Sequence, residues 1–284
     1  MSKNASSGSD VRRKPGNPQV TLKISNFYYA GFFAAEMTCS VIKATNYNPV
    51  GHYYYAVDIT VTNADKALLQ NVNEVVMEGG GIISPVRGAF NLSARGKNRV
   101  RKVLEFLDTY PIIAGDLAKN RVALLRNAFA YLEIHRGSRE HQAKTLVMNE
   151  IRKKLRQIKE SGIVSHSYST EKVSKDSIGH FLAGVLDGEG SFGFKKSGNR
   201  QEPYFAMAMK DRKIIELCKD FLQYGNIRRR KDGLYHYEIN SARVVKELCN
   251  LFLTKYPLKH ARQRERMRNL QRLLNDYTQN TSRK

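Results

Sequence analysis

One short segment in the second half of the sequence limits the fold more than any other. It reads Phe181-Leu182-Ala183, followed by Gly184-Val185-Leu186-Asp187-Gly188-Glu189-Gly190. Gly184 and Gly188 are four residues apart, so a helix places both on one face. A glycine face lets a second helix approach closely because no Cβ intervenes. Glu189 lies between two glycines, and the residues after it alternate like a strand. The segment therefore predicts a close-packed helix with a carboxylate at its end, where a strand begins.

A weaker copy of this segment occurs near the start of the chain, from Phe27 to Met37. Gly31 and Ala35 are four residues apart there, and Glu36 occupies the place of Glu189. Two such helices can pack face to face. That packing would bring Glu36 and Glu189 together at a pseudo-twofold axis.

The two segments belong to a longer internal repeat. Six residue pairs share the same separation of 146 positions: Asp65 and Asp211, Val76 and Leu222, Gly79 and Gly225, Phe106 and Phe252, Tyr110 and Tyr256, and Pro111 and Pro257. The motif glycines Gly31 and Gly184 are offset by 153 instead. The first half must therefore hold seven extra residues between its motif helix and Asp65. Because the predicted helices and strands recur in the same order, we interpret the chain as a duplicated α-β-β-α-β-β-α unit.

The repeat and the composition predict five regions along the chain. We expect a disordered basic tail at 1–20, a first half at 21–132, a linker with one exposed helix at 133–176, a second half at 177–278 and a short tail at 279–284. Cys39, Cys218 and Cys249 have no metal-site spacing and are predicted to be reduced, buried thiols.

The net charge is the strongest compositional signal of function. The formal charge is +22 and the sequence pI is about 9.9, which favours a polyanionic partner, with nucleic acid first and an anionic membrane surface second. No apolar run is long enough to span a bilayer, so we expect no membrane insertion.

These motifs and the repeat resemble the LAGLIDADG homing endonuclease family in its single-chain, two-motif form. Leu182 to Gly190 matches the family motif closely, whereas Tyr29 to Met37 departs from it, with Ala34 in place of the usual acid and Met37 in place of the closing glycine. The Tyr-Pro-Leu segment before the last helix is also typical of the family. The resemblance covers about residues 22–278. It implies an α+β protein with motif helices at the interface and two antiparallel sheets that straddle the DNA major groove as a monomer.

Residues in the predicted strands are candidates for DNA contact, since a two-stranded ribbon fits the major groove. In the first half the candidates are Lys43, Tyr47, His52, Tyr54, Arg87 and Arg95. In the second half they are Lys195, Lys196, Arg200, Arg228, Arg229, Arg230, Lys231, Tyr235 and Tyr237.

The two motif acids predict metal-assisted phosphodiester hydrolysis. Hydrolysis of this bond needs a metal to activate water and to stabilise the leaving oxygen, and Mg²⁺ prefers a few carboxylate ligands completed by water and phosphate. We expect Glu36 and Glu189 to supply one ligand to each of two sites, with help from the carbonyls of Ala35 and Gly188. Mn²⁺ is an expected substitute. The resemblance implies that each site cuts one DNA strand.

The resemblance also implies further catalytic positions, and here the two halves differ. Where the family often has a water-orienting Gln, this chain has Asn63 and Met209, and Met209 cannot donate a hydrogen bond. Where the family often has a basic residue after Tyr-Pro-Leu, the second half has Arg262. The first half has Asp116 in register and Lys119 one turn later. Slow cleavage, nicking of one strand, or binding without cutting all fit this asymmetry.

Three functions are therefore open at this stage. The first is a site-specific, intron-encoded endonuclease that cuts double-stranded DNA. The second is a maturase that binds intron RNA on the same fold, and the third is a DNA-binding relic in which Glu36 and Glu189 are replaceable. The resemblance implies an intracellular protein of an organelle, mitochondrion or chloroplast, or of an archaeon, and the basic tail does not decide the compartment.

Overall fold

The computed structural model describes residues 23–45, 53–135, 141–161, 173–198 and 200–281. The predicted tail at 1–20 and parts of the predicted linker lie outside these residues. None of the helices within these ranges is long and apolar enough to cross a membrane.

The first half contains the following elements: α1 (Phe27–Glu36), β1 (Met37–Thr45), β2 (Tyr53–Asn63), α2 (Lys66–Met77), β3 (Ile82–Val86), β4 (Ala89–Arg95), α3 (Lys97–Thr109) and α4 (Asp116–Ile134). A helix between the halves, α5, spans His141–Ser161. The second half contains α6 (Lys175–Glu189), β5 (Gly190–Ser197), β6 (Arg200–Met209), α7 (Arg212–Leu222), β7 (Asn226–Arg229), β8 (Tyr235–Ile239), α8 (Ala242–Asn250) and α9 (Ala261–Thr281). A π-helical segment, Leu251–Lys255, extends α8.

The two halves share one sheet topology, which confirms the predicted duplication. Each sheet is antiparallel, with order β1-β2-β4-β3 in the first half and β5-β6-β8-β7 in the second. The seven extra residues of the first half also have an explanation. Seven residues separate β1 from β2 whereas two separate β5 from β6, and β1 and β2 are each one residue longer than their counterparts.

Each sheet packs helices against one face and leaves the other open. In β1, Met37, Cys39 and Val41 are buried, whereas Thr38, between the first two, is exposed. In β8, Tyr237 and Ile239 are buried, whereas His236 and Glu238, which alternate with them, are partly exposed. Because side chains alternate along a strand, this burial pattern assigns every strand residue to the helix-packed face or the open face. All three cysteines are free and buried, as predicted.

The motif helices α1 and α6 form the seam between the halves, and glycine permits their contact. A Cβ on Gly31 would lie 1.8 Å from the carbonyl oxygen of Phe181, and a Cβ on Gly184 would lie 1.9 Å from that of Tyr28. The two contacts are equivalent, because Gly184 lies 153 positions after Gly31 and Phe181 lies 153 positions after Tyr28. The seam therefore has the predicted pseudo-twofold symmetry, and no side chain fits at either glycine.

Helix α5 differs from the prediction of an exposed helix in a linker. Met148, Ile151, Leu155 and Ile158 recur at helical spacing and are buried, and the Tyr55 hydroxyl of β2 donates to Asn149 Oδ1 at 3.3 Å. The polar composition of this region hid a single apolar stripe, which packs on the first half. The exact division of the chain into domains stays a prediction.

Each half also caps a helix of the other. Asp211, the N-cap of α7, accepts from Leu117 N at 2.9 Å and Asp116 N at 3.2 Å, at the start of α4. Asp65, its counterpart at the start of α2, accepts from Ala261 N at 2.7 Å, at the start of α9. Amide groups in the first turn of a helix lack partners within it, so these carboxylates join the halves at two equivalent points.

Candidate active site and nucleic-acid interface

The seam ends where the two motif acids meet. A Cβ on Gly188 would lie 2.8 Å from the Cβ of Ala35, and 3.1 Å from both Cγ and Oε1 of Glu36. Ala35 and Gly188 are equivalent under the 153-residue offset, so their contact lies on the pseudo-twofold axis. Glu36 and Glu189 each follow directly, at the last positions of α1 and α6. The predicted pairing of the acids is confirmed in position.

The electrostatic state of Glu36 reflects this crowding. Loss of hydration, together with the nearby charge of Glu189, raises the pKa of Glu36 from 4.5 to about 7, although a hydrogen bond from Asn63 opposes the shift. Loss of hydration also raises the pKa of Glu189. The Glu189 side chain is nevertheless exposed at the surface, and Glu36 is half-buried. The protein around Glu189 therefore displaces part of its hydration and still leaves the carboxylate accessible to solvent.

Asn63 lies beside Glu36, where the sequence predicted a polar partner. Its Oδ1 accepts from Asp65 N at 2.9 Å, which leaves the amide nitrogen to donate to Glu36. Met209, at the equivalent position of the second half, is buried. The two acids therefore have different neighbours at these equivalent positions, an amide at Asn63 and a buried thioether at Met209.

The predicted basic residues lie at the starts of α4 and α9. Lys119 is half-buried, and its Nζ donates to Ile113 O at 2.9 Å. Burial lowers its pKa, and the nearby carboxylates of Asp116 and Asp211 oppose that shift. Arg262 is exposed in the first turn of α9. Catalytic roles for Lys119, Arg262 and Asn63 stay predictions.

The end of the seam fits a hard divalent cation. Two carboxylates, both reachable by solvent, have raised pKa values because burial removes part of their hydration, and at Glu36 the nearby charge of Glu189 adds to the shift. The capping bonds of α1 and α6 run to Phe33 O and Leu186 O, so the later carbonyls, including those of Ala35 and Gly188, have no donor within their helices. Two helix C-termini also place partial negative charge here. Across the described ranges no group of three or more His, Cys, Asp or Glu residues is arranged for a metal, so a cation here would depend on water and substrate for most of its ligands.

Asp187 is a residue that the sequence analysis did not single out. Its side chain is buried, and its Oδ2 accepts from the Tyr28 hydroxyl at 2.5 Å, Lys259 N at 2.6 Å and His260 N at 2.9 Å. Burial raises the pKa of Asp187 to about 6, and these hydrogen bonds oppose the shift. Asp187 ties α6 to α1 and to the start of α9. Its position within an apolar motif could have identified Asp187 from the sequence, because an acid that is buried in a helix interface needs hydrogen-bond partners.

Strand alternation separates the DNA-binding candidates into two groups. Tyr54, Arg95, Lys195 and Arg228 are on the open faces, whereas Lys43, Lys196, Arg229, Tyr235 and Tyr237 share the helix-packed side with buried neighbours. Arg87 follows β3 in the turn to β4, and Arg230 and Lys231 follow β7 in the turn to β8. Tyr47 and His52 lie outside the described residues, as does the Arg200 side chain.

Two tyrosines need correction. Tyr237 is wholly buried, and its hydroxyl donates to Tyr224 O at 2.7 Å, so its proposed contact with DNA is wrong. Tyr235 is on the same side and packs against the core. The error came from treating a basic, aromatic strand as facing DNA throughout, although only alternate residues can do so. His236 and Glu238, which the sequence analysis did not single out, occupy the open side of β8.

Comparison with known proteins agrees with this geometry. Residues 182–268 match the LAGLIDADG endonuclease family model. The structure of the LAGLIDADG homing endonuclease I-GzeII in complex with its DNA target has a TM-score of 0.73 at 16% identity, over 90% of this chain and 91% of that one. A structure of the meganuclease I-SmaMI bound to uncleavable DNA has a TM-score of 0.72 at 18% identity, over 90% of each chain.

The chain has the two-domain LAGLIDADG fold, and its second half carries the family signature. A further structure, I-SmaMI bound to uncleaved DNA in the presence of calcium ions, has a TM-score of 0.65 at 19% identity, over 83% of this chain and 86% of that one. Comparison with curated protein sequences finds no match. The LAGLIDADG family model begins at Leu182 and leaves the degenerate first motif outside its match, although the first half has the same fold.

Proposed function

We propose that this protein is a site-specific homing endonuclease that hydrolyses phosphodiester bonds of double-stranded DNA with divalent metal ions. One observation carries the proposal: α1 and α6 bring Glu36 and Glu189 together on the pseudo-twofold axis, between two sheets that each keep an open face. The DNA-bound LAGLIDADG structures that share this fold support the choice of substrate. We further propose that the protein acts as a monomer, since one chain supplies both motifs, and that an intron encodes it.

The chain's own residues have distinct parts in this proposal. Gly31 and Gly184 let the two helix backbones touch, which brings Glu36 and Glu189 to the same end of the seam. Glu36, Glu189 and the carbonyls of Ala35 and Gly188 would hold the cation, with Mg²⁺ as the physiological ion and Mn²⁺ as a substitute. When bound, such a cation supplies Lewis-acid activation of water and stabilisation of the leaving oxygen. Asn63 would orient a water next to Glu36, and the net charge of +22 would attract the DNA backbone.

The experiment uses purified protein and DNA that spans the uninterrupted insertion junction of the host intron. With Mg²⁺ we expect cleavage, and we expect Glu189→Gln and Glu36→Gln each to abolish cutting of at least one strand while binding persists. Glu105→Gln is the matched control, because it makes the same change at an exposed position of α3. Cleavage by Glu36→Gln and Glu189→Gln at the wild-type rate would contradict the assignment. Binding without cutting by the wild type, in Mg²⁺ or Mn²⁺, would favour the maturase or the relic.

A further inference from the structure

The open faces of the two sheets differ in chemistry although their topology is the same. On the first sheet, hydroxyl and amide groups dominate, from residues that include Thr38, Ser40, Thr60, Thr62, Asn91 and Ser93. Apolar side chains accompany them, namely Ile42, Ala56, Ile82 and Val86, of which Ile82 is 49% and Val86 39% exposed. These aliphatic side chains add apolar contact surface to the first open face.

Charge is scarce on the first open face. Within its described strands, the charged side chains are Asp58 and Arg95, which lie opposite each other and form an ion pair at 3.4 Å. The Thr60 hydroxyl also donates to Asp58, at 2.9 Å. The described strands of this face therefore carry no net charge, and their one basic side chain is Arg95, which is 63% exposed.

The second open face has charged groups at the corresponding places. Lys195 donates to Glu238, Arg228 Nη2 lies 3.7 Å from Glu238, and Arg228 Nε lies 3.3 Å from His236 Nδ1. Glu202 pairs with Lys195 in register and adds a second acid. The Arg228 side chain is 68% exposed, so its pairings are loose and can be exchanged for a ligand at little cost.

In the major groove, the charged side chains of the second face and the polar and apolar side chains of the first face favour different bases. Arg and Lys donate to the O6 and N7 acceptors of guanine, and Glu accepts from the amino group of cytosine. Asn pairs with adenine, and apolar groups and threonine methyls contact the methyl group of thymine. The Thr62 hydroxyl donates to Asn91 Oδ1 at 2.7 Å, which orients the Asn91 amide on the first face.

We propose that the two halves of the DNA target differ in base composition, with an A·T-rich half under the first sheet and a G·C-rich half under the second. Arg228 determines a guanine position in the second half-site, and Asn91 determines an adenine position in the first. This inference rests on the proposed function, because it assumes that the open faces lie in the major groove.

The test selects binding sites from a randomised pool of double-stranded DNA. The full-length protein is used with Ca²⁺, the ion present with uncleaved DNA in one of the similar structures. We expect recovered sites with one A·T-rich half and one half with conserved G·C pairs. Arg228→Ala should weaken the preference for guanine at a position in the G·C half by about tenfold, and Asn91→Ala should relax an adenine in the other half.

Arg229→Ala is the matched control. Arg229 is adjacent, exposed and equally charged, but it lies on the opposite side of β7 and pairs with Tyr235. Its substitution should leave every base preference unchanged, and thermal melting verifies that each variant is folded. Halves of equal composition, selection without any base preference, or an Arg228→Ala effect in the A·T half would each overturn this inference while leaving DNA binding intact. A complete absence of DNA binding would overturn the proposed function as well.

Discussion

Glu36 shows how the seam changes the chemistry of one residue. Its carboxyl lies 3.1 Å from where a Gly188 side chain would begin, near the charge of Glu189, and its pKa rises from 4.5 to about 7. In the unfolded chain the same group ionises at its ordinary pKa. Ionisation of Glu36 therefore opposes folding when no cation is present. A bound cation would offset this cost, because it would stabilise the ionised carboxylate.

The pH dependence of stability tests this directly. Because the folded pKa of Glu36 is raised, its unfavourable contribution is absent below pH 4.5 and grows as the pH rises to about 7. In EDTA at pH 8 we expect Glu36→Gln to be more stable than the wild type by about 1–3 kcal/mol, after allowing for the access of water to this side chain. At pH 4 the two should be equal. Urea unfolding at both pH values measures the difference.

A second arm of the same experiment concerns the cation. If Glu36 is a metal ligand, as proposed, Mg²⁺ will bind the folded wild type better than the unfolded chain and should raise the wild-type midpoint more than that of Glu36→Gln. Equal stability of wild type and variant at pH 8 in EDTA would show that the pKa of Glu36 is not raised in the folded protein.

At the scale of elements, the seam depends on backbone contact between α1 and α6. Glycine ordinarily destabilises a helix relative to alanine by roughly 0.5–1 kcal/mol, so propensity alone predicts that Gly31→Ala would stabilise the protein. The structure predicts the reverse sign, because the new Cβ would lie 1.8 Å from Phe181 O and neither backbone can yield locally.

We therefore expect Gly31→Ala to lose more than about 3 kcal/mol of unfolding free energy, beyond the usual range for single substitutions. Ala143→Gly on the exposed side of α5 makes the opposite exchange and should cost only about 1 kcal/mol. Chemical denaturation compares the two. A stabilised Gly31→Ala protein would refute the close packing of the seam.

The reciprocal caps are a second feature at this scale. Gly115 precedes α4 and has no side chain to cap it, so Asp211 of the other half accepts the amides of Asp116 and Leu117 instead. This arrangement makes the start of α4 dependent on the correct docking of the second half.

Replacement of Asp211 by alanine should cost about 1–2 kcal/mol, the usual range for a lost N-cap. Asp220→Ala removes the same charge from an exposed position of the same helix, α7, and should change stability by less than about 0.5 kcal/mol. Thermal melting of both variants decides the matter. If both substitutions lowered stability equally, Asp211 would stabilise the protein through its charge alone and not through its hydrogen bonds to α4.

At the scale of the whole molecule, a symmetric backbone carries asymmetric sites. The halves share topology, seam contacts and reciprocal caps, yet Glu36 has Asn63 beside it whereas Met209 occupies the equivalent position. Two strands of DNA would therefore meet catalytic sites of different composition.

We expect the two DNA strands to be cut at different rates, so that nicked plasmid accumulates before linear plasmid. Asn63→Ala should slow one strand by at least about tenfold, within the usual contribution of a positioned polar group. Met209→Leu, a volume-conserving exchange at the equivalent position, should leave both rates unchanged. Gel time courses of supercoiled plasmid report each step. Simultaneous cutting of both strands, or an equal effect of both variants, would argue against this asymmetry.

Local patterns in the sequence were sufficient for the repeat, the seam and the paired acids. Gly31, Gly184, Glu36 and Glu189 have the same spacing within two short segments, and a helix converts that spacing into a shared face. The order of elements around them recurs, so one half predicts the other. The family resemblance then supplied the expectation of two sheets and of Asn63 near an acid.

Contacts between distant residues could not be obtained in this way. Tyr237 was assigned to the wrong face because its side depends on strand register, and the apolar stripe of α5 was lost among charged residues. The capping of α4 by Asp211 joins residues almost a hundred positions apart, and no local pattern encodes that distance. Short-range periodicity specifies helices, strands and repeats, whereas the facing of side chains and the bonds between halves depend on how complete elements pack together.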